Sequence, residues 1–449
     1  MWTRPNAAPP FIMHTLLLHN CRIAHPDGSV TEGDVLCGDG VIARLGGAID
    51  VPAAEVVDAK GCLLLPGAID PQVHFREPGA EHKETIGTGS RAAAAGGVTS
   101  FLEMPNTRPP TTTQAALDDK LARAARTSVV NYGFFVGATP DNAATLEAMA
   151  PACGIKVFMG SSTGDLLVDR REDLERIFAT GRRLIAVHAE DQACIERGRA
   201  LRQGRTDPAV HSELRPAACA VAATTLALEL SRRYERRLHI LHVSTKEEVA
   251  LLRARPPWVT AEVIPNHLFL NCADYARQGT RVQMNPPIRE QADNDALWAG
   301  LRDGAIDFVA TDHAPHTLAE KQQPYPDSPS GMPGVETMLP MMLTAWKAGR
   351  CSLAEVLRWT SGGAAEAYRL TGKGRLQPGM DADLVLVDME HSRVLTDADT
   401  WTQVRWSPFA GRSLTGLPVL TVVAGRIVYD QHGIRPDARG YALKYGPAL

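Results

Sequence analysis

Between Pro66 and Leu376 the chain repeats one rhythm: a short apolar run, a turn, then a helix-like stretch. The eight runs are AIDPQVHF, GVTSFLEMPN, VVNYGFFVGA, GIKVFMG, RLIAVHAE, RLHILHVS, WVTAEVIPN and IDFVATDH. Runs of this length bounded by turn residues read as buried strands. Helix-like segments lie between most of them, among them the Ala-rich SRAAAAGG, the region after Thr111, LVDRREDLERIFATG and the stretch from Arg215 to Arg236. Eight βα units in about 300 residues predict an α/β fold of the (β/α)8 TIM type. A doubly wound open sheet is the alternative fold, and no glycine-rich phosphate loop follows the first run to support it.

On either side of this region the texture changes to short apolar runs and glycine turns. LLLHNCRIA, DVLCGDGVIARLGG and EVVDAKGCLLL precede it; GMDADLVLVDME and LPVLTVVAGRIVYD follow. They predict one small β-sandwich assembled from both chain ends, with the barrel inserted between. The expected division is an N-terminal tail (1–14), the N-terminal portion of the sandwich (15–65), the barrel (66–376), and the C-terminal portion of the sandwich with a C-terminal tail (377–449). A chain of 449 residues has room for both a barrel-sized core and a smaller module.

A net charge of -4 and no basic run give no footprint for nucleic acid or a membrane surface. The FIMHTLLL stretch is short and broken by His14, so it reads as neither a signal peptide nor a membrane span, and Met13 is an alternative start. Eight cysteines are scattered singly with no CxxC pair, a pattern expected of reduced thiols in the cytoplasm. The Pro- and Gly-rich stretch from Gln322 to Gly334 reads as a loop after the eighth strand.

Chemistry-bearing side chains gather where the predicted strands end. His74 closes the first, Asn106 the second, His188 the fifth, His242 the sixth, and Asp312 with His313 the eighth; Lys156 lies within the fourth. The C-terminal strand ends of a parallel barrel are where its loops converge over one rigid face. One histidine there is more often structural, but three imidazoles and a carboxylate together have the composition of a Zn²⁺ site. Arg76, two residues beyond His74, reads as an anion clamp, with an ordinary surface ion pair as the alternative. Lys156 taken alone reads as a lysine reaching for solvent. If buried, its lowered pKa leaves a neutral amine able to add CO2 and become an anionic, two-oxygen ligand.

The motifs HFREPG, GGVTSFLEMPNT, IKVFMGSSTG, AVHAED, LHVST, NPPIR and ATDHAPH occur in order, spaced one per barrel strand. Together they resemble those of the dihydroorotases in the cyclic amidohydrolase family, from about Met13 onward. The resemblance implies reversible cyclisation of N-carbamoyl-L-aspartate to L-dihydroorotate in pyrimidine (UMP) biosynthesis. It implies one or two zinc ions held by His74, N6-carboxylated Lys156, His188, His242 and Asp312. Arg76, Asn106, Asn285 and His316 would grip the substrate, and Asp312 would shuttle the proton between the nucleophile and the ring nitrogen. It further implies a homodimer and aspartate carbamoyltransferase as a candidate partner.

One departure is visible. Where the family usually shows His-x-His on the first strand, this chain has Gln72-Val73-His74, and in this it resembles the dihydroorotase-like variant that carries Gln there together with KxFMGSSTG. An amide oxygen is a poorer zinc ligand than imidazole, which weakens one metal position and leaves a one-metal centre open. His267 in the seventh run is expected to support the site from behind or simply to pack. Two rival functions stand beside the main reading. One is hydrolysis of another cyclic amide such as allantoin, a hydantoin or dihydropyrimidine, although an uncharged ring would not need Arg76 with Asn106. The other is a catalytically silent scaffold for the transferase, against which the retained costly polar cluster argues.

Overall fold

All eight apolar runs form strands, and nearly every residue in them is buried. The computed structural model describes residues 15–51, 55–161, 166–200 and 204–446. The expected N-terminal tail (1–14), four residues of the SSTG loop and its flank (162–165) and the last three residues lie outside the described residues.

The first chain end contributes β1 (Thr15–Ala24), β2 (Val30–Gly38), β3 (Val41–Leu45), β4 (Glu55–Asp58) and β5 (Leu63–Pro66). The central region contributes β6 (Ala68–Val73), β7 (Val98–Glu103), β8 (Asn131–Phe134), β9 (Val136–Gly137), β10 (Ile155–Phe158), β11 (Ile185–His188), β12 (Leu238–Ile240), β13 (Val259–Val263) and β14 (Phe308–Val309). The far end adds β15 (Leu384–Val394), β16 (Ser413–Val423), β17 (Arg426–Asp430) and β18 (Gly433–Ile434). The third apolar run is split into β8 and β9 by the single residue Phe135.

In the central region every pairing is parallel. β6, β7 and β8 form a three-stranded sheet, and β9 to β14 form a six-stranded sheet in chain order. A parallel bridge between Val73 and His313 joins the ends of the first and last strands. The His74 N–H donates to the His313 carbonyl there at 2.7 Å. Parallel strands need crossovers, and helices Ile86–Ala95, Gln114–Thr127, Arg171–Ala179 and Ala217–Tyr234 fall where the sequence predicts them.

The helix Ile86–Ala95 packs so closely that a Cβ on Gly89 would stand 2.4 Å from the Phe75 ring. Phe75 in turn lies edge-on to Phe101 and His313. The backbone between His74 and Arg76 is thereby wedged into the core.

The two chain ends pair as one nine-stranded sheet, joined where β5 runs antiparallel to β15. The reduced thiols expected from cysteine spacing need one correction: Cys194 and Cys219 form a disulfide. They are separated by 25 residues, so no local motif marks the pair. The fold joins them by bringing helix Gln192–Arg199 against Ala217–Tyr234, with the Asp191 N–H bonded to the Cys219 carbonyl.

Candidate active site

Closure of the first strand on the last brings Gln72, His74 and Asp312 together. His74 Nε2 stands 3.0 Å from Asp312 Oδ1, and the Gln72 amide donates to the same oxygen at 3.1 Å. The other imidazole nitrogen of His74 lies 2.7 Å from Asn106 Oδ1, just beyond the end of β7. Burial holds the His74 pKa below its usual value although Asp312 favours the charged form. Gln72 Oε1 is buried and has no hydrogen-bond partner among the described residues.

A second pair forms across β11 and β12. His188 is the last residue of β11 and His242 follows β12, placing His188 Nδ1 3.0 Å from His242 Nε2. The remaining nitrogen, His188 Nε2, faces Glu190 Oε2 at 3.0 Å. Arg215 closes on Glu190 through Nε at 3.1 Å and also donates to the Ser161 carbonyl. This cation and the His188 contact hold the Glu190 carboxyl far below the usual carboxylate range despite its burial. His188 and His242 both have lowered pKa values, chiefly from burial.

Lys156 points inward from β10, fully buried, with its ammonium nitrogen 4.6 Å from the centre of the Phe158 ring. Burial pulls its pKa down to about 7, against the opposing pull of Asp312 and Glu262. Glu262 on β13 is itself raised by burial and accepts from His239 Nε2 at 3.0 Å.

Three of these residues carry backbone strain. Arg76, His242 and Asp312 have φ of 64°, 37° and 47°. A side chain in this left-handed region costs about 1–3 kcal/mol, and such residues cluster at functional sites. At the strand ends the conformation turns side chains out of the pleat.

Beside this cluster the Arg76 Nε donates to the Pro315 carbonyl, and Arg76 Nη2 lies 3.2 Å from His316 Nε2. A cavity of about 220 Å³ opens there, lined by Arg76, Lys83, Asn106 and Arg108. A larger cavity of about 840 Å³, against Arg237, Trp258 and Asp307, lies by the opposite strand ends and contains none of these side chains. Asn285 instead meets His211, whose Nε2 stands 2.8 Å from its Oδ1. His267 Nε2 faces the Pro286 carbonyl, a supporting contact. His313 accepts the Gly334 and Val335 N–H groups at Nδ1 and so fastens the loop after the last strand.

Sequence reasoning passed over Lys83, Glu190, Arg215, His211 and Glu262. For Glu190 a signal existed: it sits two residues past His188, within reach of the second nitrogen that a metal-binding histidine must satisfy. The others come from segments distant in sequence, and their types alone mark nothing.

Among the described residues no three His, Cys, Asp or Glu side chains converge tightly enough to hold a metal ion by themselves. The candidates stand as two pairs, with Lys156 buried nearby. The donor chemistry of the second pair nonetheless fits an ion. Glu190 takes the His188 Nε2 hydrogen, so Nδ1 offers a bare lone pair toward His242. Two imidazole nitrogens on one tetrahedral zinc stand about 3.3 Å apart, close to the separation seen. The unpartnered Gln72 Oε1 and the Asp312 carboxylate supply oxygen donors across the site.

Residues 61–248 match the dihydro-orotase-like family and residues 239–428 match the amidohydrolase family. The chain is 37% identical to a dihydroorotase of Methanosarcina mazei, over 94% of this chain and 96% of the relative. It is 42% identical to one of Halobacterium salinarum, over 82% and 86%. Among solved structures it resembles an L-hydantoinase from Arthrobacter aurescens (TM-score 0.90, 30% identity, 96% of this chain and 100% of that one). A dihydropyrimidinase from Brevibacillus agri is also similar (TM-score 0.88, 26% identity, 97% and 99%).

Proposed function

The chain belongs to the dihydroorotase group of the amidohydrolase family, and from that premise we propose that the Arg76 cavity and Asp312 together interconvert N-carbamoyl-L-aspartate and L-dihydroorotate. It is a hydrolase of cyclic amides. The observation that carries the substrate assignment is Arg76 lining a small cavity beside the Asp312 cluster. A ring bearing a carboxylate suits that fork; an uncharged ring leaves it unused.

In this reading the two parallel sheets close as one (β/α)8 barrel, supported by the Val73–His313 bridge. Residues 66–376 form that barrel, and the chain ends (15–65 and 377–449) form the second module. His188, His242, Asp312, His74 and N6-carboxylated Lys156 are the residues that would hold zinc, one ion or two. When bound, the ion polarises the ring carbonyl and acidifies water toward neutral pH. Arg76 holds the substrate carboxylate, with Asn106 and His316 beside it, and Asn285, held by His211, would meet the ring. Asp312, aimed by Gln72 and His74, accepts a proton from the attacking water and returns it to the departing ring nitrogen. In the synthetic direction the same residues close the ring with loss of water. The burial of Lys156 supports its carboxylation, because a neutral amine is the form that adds CO2.

The reading places the protein in pyrimidine synthesis in the cytoplasm, as a homodimer with aspartate carbamoyltransferase as a candidate partner. No helix among the described residues is long and apolar enough to cross a membrane.

A second reading, hydrolysis of an uncharged cyclic amide, is favoured by the likeness to the hydantoinase and dihydropyrimidinase structures. Turnover of L-dihydroorotate beside dihydrouracil and hydantoin, by zinc-loaded protein with its metal content measured, separates the two. Turnover of the charged ring alone is expected; turnover of the uncharged rings alone overturns the substrate assignment.

A further inference from the structure

His316 has polar neighbours on both ring nitrogens. Its Nδ1 lies 3.0 Å from Lys83 Nζ, and its Nε2 lies 3.1 Å from the Ser330 carbonyl and 3.2 Å from Arg76 Nη2. An ammonium can only donate, so Nδ1 must be the bare acceptor. A neutral ring then carries its hydrogen on Nε2, where the Ser330 carbonyl takes it. Burial and the surrounding cations Arg76, Lys83 and Lys321 keep the ring neutral. An Nε2 that bears hydrogen cannot accept from Arg76. Arg76 Nη2 therefore gives no hydrogen to His316, and among the described residues its hydrogens stay available to a ligand, while Arg76 Nε is tied to the Pro315 carbonyl.

We propose that Lys83 is a specificity-determining residue that locks His316 in the Nε2–H tautomer and so keeps the Arg76 guanidinium open to a carboxylate of the substrate. Without the Lys83 donor, the hydrogen can move to Nδ1, and Nε2 becomes an acceptor that captures Arg76. Lys83 is itself steered by Glu320 at 3.0 Å, a carboxylate also bound to the Thr317 N–H. Lys83 also lines the cavity, adding to the positive field that Arg76 and Arg108 present to an anionic ring. The inference rests on the reading that the substrate carries a carboxylate.

The test uses zinc-loaded wild type, Lys83→Met and Lys83→Arg, with two readouts. In steady state, Lys83→Met is expected to raise KM for L-dihydroorotate about 10- to 100-fold, the worth of a hydrogen bond to a charged group, with kcat changed far less. Lys83→Arg, which keeps a donor, is expected to restore most of the loss. Nitrogen-15 NMR of labelled histidine, assigned with His316→Gln, is expected to show an Nε2–H ring in wild type and a shift toward Nδ1–H in Lys83→Met.

An unchanged KM in a folded Lys83→Met protein overturns the proposal, as does a wild-type ring protonated on Nδ1. Should Lys83→Met fail to fold, the wild-type tautomer and the Lys83→Arg KM decide. Wild type that leaves L-dihydroorotate untouched sinks the substrate reading, while the tautomer measurement still judges the lock on Arg76.

Discussion

The two halves of the candidate site handle the same kinds of side chain in opposite ways. Across β11 and β12, His188 is backed by a buried carboxylate and arginine, so its free nitrogen faces His242 as a lone pair. Across β6 and β14, the Gln72 amide and the His74 ring both close on one oxygen of Asp312, Oδ1, and so fix the direction of that carboxylate. The first half is arranged to bind a cation. The second holds and aims a carboxylate, and the Gln72 amide supplies one of the two contacts that do so. Fixed orientation by groups behind the ligand thus matters as much as the ligand's identity.

The largest effect expected from this difference is on turnover. Asp312→Asn should lower kcat by about 10²- to 10⁴-fold, the usual worth of a positioned proton carrier. Metal analysis of the same sample should find the His188 half still loaded; near-normal turnover with metal bound would remove Asp312 from its role.

Next comes metal content. His242→Ala should lose most bound zinc on dialysis, whereas His74→Ala should keep most of it, read by elemental analysis per chain. Equal losses would erase the asymmetry between the halves.

Removing the support behind His188 should do less. Glu190→Ala is expected to weaken zinc binding about 10- to 100-fold in a chelator competition. It should also lower stability by about 3–5 kcal/mol in denaturant titration, because Arg215 is left buried without its partner. The smallest change is expected from Gln72→His, which offers the second half a nitrogen ligand. Metal per chain should rise while the midpoint of unfolding stays nearly fixed, and an unaltered stoichiometry would show that Gln72 does not set the count.

Much of this architecture was legible in the chain because its signals are local. Each βα unit announces itself by an apolar run with turn residues around it, and His74, His188, His242 and Asp312 could be placed at strand ends from that pattern alone. Lys156 could be placed within a strand by the same means, but taken alone it reads as reaching for solvent, and only the assembled sheet shows it buried. What escaped were properties of pairs distant in sequence. Glu190 and Arg215 are joined only when helix Ala217–Tyr234 packs against helix Gln192–Arg199. Cys194 and Cys219 meet by the same packing. Lys83 reads as one charge in the polar stretch EHKE, and only the return of the last strand sets His316 against it. The third apolar run reads as one strand, yet its pairing breaks at Phe135, because a one-residue interruption leaves no mark in hydrophobicity.

The sheet built from both chain ends has a consequence for biosynthesis. Leu64 finds its antiparallel partner in Leu386, so one edge of β5 leaves the ribosome long before the strand that covers it is made. An uncovered apolar strand edge is a template for pairing with other chains. Closing so long a loop also makes this contact a slow one. Premature termination after His316 but before β15 would therefore release a chain with all of its candidate site residues and a permanently open seam. Such a product is expected to be recovered by the cell as aggregate or as a chaperone client rather than as a weaker enzyme.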